Sequence, residues 1–194
     1  LKEIKDLDTK GSVGAAVVNY LIGCGNVTAD MLNQVMINED LKDKLVQDNA
    51  LTEVGKAIVG AAIRDTNGNI DSGKIVTMLK EIKDLDTKGS VGAAVVDHLL
   101  GREDVTADIL YGVLTSADMI EKLTTTIDDA RKLTVAGAKI MNKATEKGLT
   151  FEQLFNISQS NSKLVFEYNE GEKSFKIQDE KLIITNLPRT MFYY

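Results

Sequence analysis

The chain has 194 residues, 43% of them hydrophobic and 27% charged, with a formal net charge of -6. It is too rich in Leu, Ile and Val for intrinsic disorder and long enough to bury a core unaided, and the single Cys24 excludes an internal disulfide. With 23 basic against 29 acidic residues and no basic run to follow a phosphate backbone, nucleic acid is not an expected partner; one His and no Trp leave most nucleophilic and metal-based chemistries short of parts.

The first eighteen residues, LKEIKDLDTKGSVGAAVV, recur unchanged from Leu79 to Val96, an offset of 78 residues. The match continues with substitutions, Asn19 to Met36 facing Asp97 to Leu114 and keeping the run VTAD. Identical tracts at a fixed spacing are the mark of tandem copies. Leu79 falls inside a helix predicted to begin near Asp71, so its twin Leu1 opens the chain in mid-helix, and a fragment with further copies upstream is expected. The longest apolar runs, such as Val13 to Val18, are far too short for a bilayer, so no membrane insertion is expected.

In chain order, the first predicted helix carries Gly14, Ala15 and Ala16, with the Ser12 hydroxyl placed to cap it. A turn leads to Thr28, a second cap, and a helix with Asp30 in its first turn and Met31, Leu32, Val35 and Met36 spaced three and four apart. Asn38 opens a predicted helix from Asn38 to Gln47. Val54 to Leu79 repeats the pattern faintly, a small-residue helix followed by a helix over Asp71 to Leu85. The second copy brings Gly92, Ala93 and Ala94, then Thr106 with Asp108, Ile109, Leu110, Val113 and Leu114, then a predicted helix from Ser116 to Lys132. A fourth version, Val135 to Ile157, carries Gly137, the cap Thr150 and Glu152. Glycine in a helix costs about 0.5–1 kcal/mol against alanine, so its recurrence predicts close helix-to-helix packing seams.

Composition changes near the C-terminus. Aromatic residues crowd in from Phe151, and from Lys163 the hydrophobic period becomes alternating: Leu164, Phe166 and Tyr168, then Phe175 and Ile177, then Leu182 to Ile184. Turns fall at residues 169–172 and 178–180, and Pro188 precedes a last edge segment. The fold class predicted is mainly α: helical-hairpin repeats of about 40 residues in a 78-residue super-repeat, followed by a small antiparallel β meander. The expected divisions are residues 1–78 and 79–158 for the helical units and 159–194 for the β segment.

Asp65-Thr66-Asn67-Gly68-Asn69-Ile70-Asp71 is the candidate metal site, with Asp65, Asn67, Asn69 and Asp71 placing oxygens at alternate positions. The stretch resembles the front of an EF-hand or dockerin loop, which implies calcium. It departs at Ile70, where the loop needs Gly, and at Val76, where it needs a bidentate Glu; an Asn-Gly turn between helices accounts for the same residues. No cofactor is expected. His98 faces Tyr20 in the other copy, which marks a half-buried aromatic position between helices, and Cys24 faces Arg102 in a surface turn. Gly11-Ser12-Val13-Gly14 has too few glycines and no following Lys for a phosphate loop. No catalytic residue is assigned. The expected function is non-enzymatic: a repeat-built spacer or scaffold of the kind seen in phage fibres and microbial surface proteins, at a virion or cell surface. It would work with protein partners and as a homo-oligomer through Phe166, Tyr168, Phe175, Phe192, Tyr193 and Tyr194. A calcium-dependent adhesion module using the Asp65 loop, or the non-catalytic part of a larger enzyme, are the alternatives.

Overall fold

The computed structural model describes residues 12–23, 27–127, 130–160, 176–178 and 181–183. The chain is mainly helical. In order it forms α1 (Val13–Gly23), α2 (Ala29–Met36), a 3-10 turn (Glu39–Leu41), α3 (Lys42–Leu45), β1 (Val46–Gln47), β2 (Ala50–Leu51), α4 (Glu53–Ala62) and α5 (Ser72–Glu81). Then come α6 (Val91–Gly101), α7 (Ala107–Thr115), α8 (Ala117–Leu123), β3 (Thr124–Ile127), β4 (Ala130–Leu133), α9 (Val135–Glu146), α10 (Phe151–Ser160), β5 (Lys176–Gln178) and β6 (Lys181–Ile183). Among the described residues the strands pair as antiparallel hairpins, β1 with β2, β3 with β4 and β5 with β6.

One device starts most of these helices. A Ser, Thr or Asp oxygen accepts the amide hydrogen three residues ahead, at Ser12, Thr28, Thr52, Asp71, Ser90, Thr106, Thr134 and Thr150. Each such cap satisfies an amide that the helix cannot and is worth about 1 kcal/mol. At α10 the cap is reciprocal, because Gln153 Oε1 also accepts the Thr150 amide at 2.9 Å.

The buried faces meet in one hydrophobic cluster that runs from Val18 in α1 to Ile157 in α10. Helices α1 and α2 pack on α4; α7 packs on α5, α9 and α10; α8 packs on α5 and α9; α6 lies on β2 and α9. Ile58, Ile75, Met78, Met119 and Met141 are among its fully buried side chains.

The predicted small-residue helices and their partners are present, but two long helices are not. The helix predicted from Ser116 to Lys132 ends at Leu123, and Thr124 to Leu133 fold as the β3–β4 hairpin. Thr124-Thr125-Thr126-Ile127 is a β-branched run whose stiff χ1 favours a pleated surface over a helix. Ser116 holds the cap position of α8 but accepts no capping bond. The helix predicted from Asn38 to Gln47 shrinks to the 3-10 turn and α3, although Asn38 does cap, accepting the Asp40 amide at 3.0 Å. Asp48 and Asn49, at φ 52° and 64°, then form the left-handed turn of a β1–β2 hairpin. Asp71 caps α5 as expected, but α5 stops at Glu81, short of Leu85.

The glycines are tightly packed for a different reason from the one predicted. A Cβ at Gly92 would lie 1.9 Å from the Asp84 carbonyl oxygen, one at Gly137 2.2 Å from that of Leu123, and one at Gly55 2.7 Å from that of Leu45. Each helix start is thus seated on a carbonyl of the segment that precedes it, and not against the flank of another helix. The neighbouring cap completes the seat: the amides of Thr52 and Thr134 donate to the same Leu45 and Leu123 carbonyls at 2.9 Å, and the Ser90 hydroxyl donates to that of Asp84 at 3.0 Å.

At the C-terminal end, β5 and β6 pair Lys176 with Ile183 and Gln178 with Lys181, as the predicted turn at 178–180 requires. The predicted strand at Leu164 to Tyr168 and the segment after Pro188 lie outside the described residues.

Candidate functional site

The Asp65 loop joins α4 to α5. The Asp65 amide donates to the Asn69 carbonyl at 2.8 Å, Gly68 donates to the Asp65 carbonyl at 3.0 Å with φ 83°, and Arg64 bridges Ile70 in antiparallel fashion. Inside this turn Asp65 Oδ1 accepts the amides of Asn69 at 2.8 Å and Asn67 at 2.9 Å. Those donors, Asn69 foremost, hold the Asp65 carboxyl below its ordinary value. Asp71 turns the other way, its Oδ1 accepting the Lys74 amide at 2.9 Å as the cap of α5. The four predicted ligands Asp65, Asn67, Asn69 and Asp71 therefore share one loop, but the two carboxylates are engaged with separate sets of backbone amides. Among the described residues no group of three or more His, Cys, Asp or Glu side chains gathers as a metal would need.

A charged network anchors the loop from outside. Arg64 donates to the Gly68 carbonyl and to Asp104 Oδ2, the latter at 3.0 Å. Arg102 binds Asp104 through two bonds, Nε to Oδ1 at 2.9 Å and Nη2 to Oδ2 at 2.6 Å. Asp104 is consequently held below its ordinary value, first by its bond with Arg102. The loop is thereby tied to the connection between α6 and α7.

His98 on α6 is half-buried, as predicted, but its counterpart Tyr20 is 73% exposed. The His98 Nε2 atom is buried with no hydrogen-bond partner, and burial, followed by the nearby charges of Arg102 and Lys56, lowers its pKa. Asn33 on α2, 4% exposed, has a second orphaned atom, Oδ1. Cys24 lies outside the described residues, as do the predicted interface residues Phe166, Tyr168, Phe175, Phe192, Tyr193 and Tyr194.

A cleft of about 270 Å³ that sequence reasoning missed lies where Met36 to Glu39 and Lys42 face Glu81 to Asp84 and Ser90 to Gly92. Its lining mixes Glu39, Glu81 and Asp84 with Lys42 and Lys83. Asp84 Oδ1 accepts the amides of Thr87 at 2.9 Å and Asp86 at 3.1 Å, which, Thr87 first, hold its carboxyl below the ordinary range. This wall is the segment shared by both copies of LKEIKDLDTKGS, so the only advance signal was a run of Asp, Thr, Gly and Ser too long for a plain helix end.

The chain matches no family model, no curated protein and no solved structure. No helix among the described residues is long and apolar enough to cross a membrane.

Proposed function

We propose that the protein is a non-enzymatic scaffold or spacer built from tandem helical units, working through protein contacts, with the C-terminal β segment serving assembly or docking as in a fibre or surface component. The observation that carries this reading is the recurrence of one element order, the helix starts Val13, Ala29, Glu53 and Ser72 standing 78, 78, 82 and 79 residues before Val91, Ala107, Val135 and Phe151. The series α1, α2, α3, hairpin, α4, α5 is followed by α6, α7, α8, hairpin, α9, α10. Val13 and Val46 stand 78 residues before Val91 and Thr124; Leu51, Thr52 and Gly55 stand 82 before Leu133, Thr134 and Gly137. The four added residues lengthen the second hairpin, whose strands have four residues each against two. A hydrophobic cluster continuous through both series is what stacked units produce when neither buries its apolar faces alone.

The reading is tested by adding a unit. Residues 13–90 inserted between Ser90 and Val91 recreate at both junctions sequences already in the chain. The enlarged protein is expected to fold, to melt in one transition no lower than the parent, and to gain length in small-angle scattering. An enlarged chain that fails to fold, or melts in two separate transitions, overturns it.

A further inference from the structure

Asn67-Gly68 is the only Asn-Gly pair in the sequence, and the Asp65 loop presents it to solvent, with Asn67, Gly68 and Asn69 all exposed. Two groups that react with one another stand side by side there, the Asn67 carboxamide carbon and the Gly68 backbone nitrogen. A glycine in second place lacks the side chain that would hinder closure of a five-membered ring between them, and around Gly68 even an added Cβ would meet nothing within 4 Å. No neighbour obstructs the reaction.

What restrains it is the hydrogen bonding of the turn. The attacking nitrogen is committed, since Gly68 donates its N–H to the Asp65 carbonyl at 3.0 Å. The peptide before Asn67 is fixed as well: its N–H donates to Asp65 Oδ1 at 2.9 Å, and the Asn69 N–H donates to the same oxygen at 2.8 Å. Arg64 clamps the far side of the Gly68 residue by donating to its carbonyl, and Asp104, 3.0 Å from Arg64 Nη2, holds that guanidinium in place. Because each peptide unit is planar and turns as a whole, the Gly68 nitrogen cannot swing toward Asn67 Cγ until these bonds release.

We propose that Asn67 is a self-modification site, closed while Asp65 and Arg64 latch the loop and reactive when the loop opens. In the open loop the Gly68 N–H gives its proton to solvent base and the nitrogen bonds to Asn67 Cγ; the Cγ–Nδ2 bond breaks, and Nδ2 leaves as ammonia after taking a proton back from solvent. Water then opens the ring. Addition at Cγ leaves aspartate, and addition at the Asn67 backbone carbonyl carbon leaves isoaspartate, with one more methylene in the main chain. Aspartate sets a second negative charge beside the Asp65 carboxylate, while isoaspartate alters the span between the Asp65 carbonyl and the Gly68 N–H, so that product keeps the latch from reclosing. Asp104 belongs to the connection between α6 and α7, so the rate at Asn67 also registers how firmly the second series holds this loop of the first.

The test follows the site in the intact chain held at neutral pH. Trypsin, cutting after Arg64 and Lys74, releases residues 65–74, DTNGNIDSGK, so mass spectrometry counts the exchange of NH2 for OH at Asn67 and chromatography separates the two products. The same peptide free in solution should convert at least about tenfold faster than the intact chain, because the latched population does not react. Asp104→Ala, outside the loop, should speed the intact chain a few-fold, the modest worth of an exposed ion pair. Asp65→Ala removes both side-chain latches and should bring the chain within a few-fold of its own free peptide. Asn67→Gln, whose longer side chain would have to close a six-membered ring, should show no conversion at that position over the same period. An intact chain that converts as fast as the peptide overturns the proposal, as does a free peptide that does not convert. So do Asp65→Ala and Asp104→Ala chains that are folded by circular dichroism and convert no faster than the parent. Should Asp65→Ala fail to fold, Asp104→Ala decides alone.

Discussion

Alanine at Gly92 and alanine at Gly60 are the same chemical change in two helices, yet the surroundings give them opposite signs. At Gly92 the new Cβ would sit 1.9 Å from the Asp84 carbonyl oxygen, 2.7 Å from its carbon and 2.8 Å from Ile82 Cγ2. To open that contact even to 3.0 Å the carbonyl must retreat by 1.1 Å, and the same oxygen accepts the Ser90 hydroxyl that helps set the helix start. Overpacking of this kind costs about 1–3 kcal/mol, and a strained hydrogen bond adds about 1 kcal/mol. The helix preference of Ala over Gly returns about 0.5–1 kcal/mol, leaving a net loss of roughly 1–3 kcal/mol. For a chain of this size that is a fall in melting temperature of roughly 3–10 °C. At Gly60, inside α4, the nearest atom is the flexible Arg102 Nη1 at 3.4 Å, an ordinary contact, so only the helix preference remains and Gly60→Ala should gain about 0.5–1 kcal/mol. The distances also rank the three seats, Gly92→Ala most costly, then Gly137→Ala at 2.2 Å, then Gly55→Ala at 2.7 Å. Paired thermal melts read all four. A Gly92→Ala chain as stable as the parent, or Gly60 and Gly92 shifting in the same direction, refutes the seating argument.

His98 is the only histidine, and its folded pKa lies below the ordinary value of 6.5, so on acidification the unfolded chain takes up a proton first. Stability should therefore fall as pH drops below 6.5, separately from the window near and below 3.8 in which Asp65, Asp84 and Asp104 act; His98→Gln should flatten the upper window in urea melts, and an unchanged pH profile would contradict this. Asn33→Leu removes a buried oxygen without a partner at a position where the second series holds the larger Tyr111, so unfolding free energy should rise by about 1 kcal/mol; a fall would show that the site cannot take the volume. Asp65 engages loop amides, so millimolar calcium should leave the melting temperature unchanged; a large rise that disappears in Asp65→Ala would restore the calcium-binding alternative.

The helix starts were legible because capping is local: Ser90 or Thr106 declares itself by hydroxyl and spacing, and the bond closes three residues ahead. The two hairpins were not: the helix predicted from Asn38 to Gln47 takes in β1 and stops at the turn, and the helix predicted from Ser116 to Lys132 runs through nearly all of β3–β4. Asp48-Asn49 falls just past the predicted helix end, where two polar residues do not by themselves declare a left-handed hairpin turn, and at Thr124 to Ile127 the apolar spacing of Met119, Ile120 and Leu123 outweighs the β-branched run. Gly92 and Gly137 stand out in the sequence as sites of close approach, but a stripe of small residues does not name what approaches, and there it is a backbone carbonyl and not a neighbouring helix face. The Asp65 loop was read in composition but not in aim, because sequence places the oxygens and cannot say that Asp65 faces Asn67 and Asn69 while Asp71 faces Lys74.

The three glycine seats also bear on how force and unfolding would pass along such a chain. Gly55 and Gly137 are seated on carbonyls at the ends of α3 and α8, contacts internal to each series. Gly92 is seated on Asp84, in the connection that joins the first series to the second. If the series were independent beads, loosening the Gly92 seat would free them from one another while each kept its own melt, and Gly137→Ala would lower one melt alone. The buried cluster argues otherwise, because Ile75, Met78 and Leu79 of α5 share it with Leu110 and Val113 of α7, and Lys122 of α8 reaches back to the carbonyls of Leu79 and Ile82. Side chains from the second series thus close the last turn of a helix in the first. Under that coupling Gly92→Ala and Gly137→Ala must lower the same single transition, differing in extent and not in number.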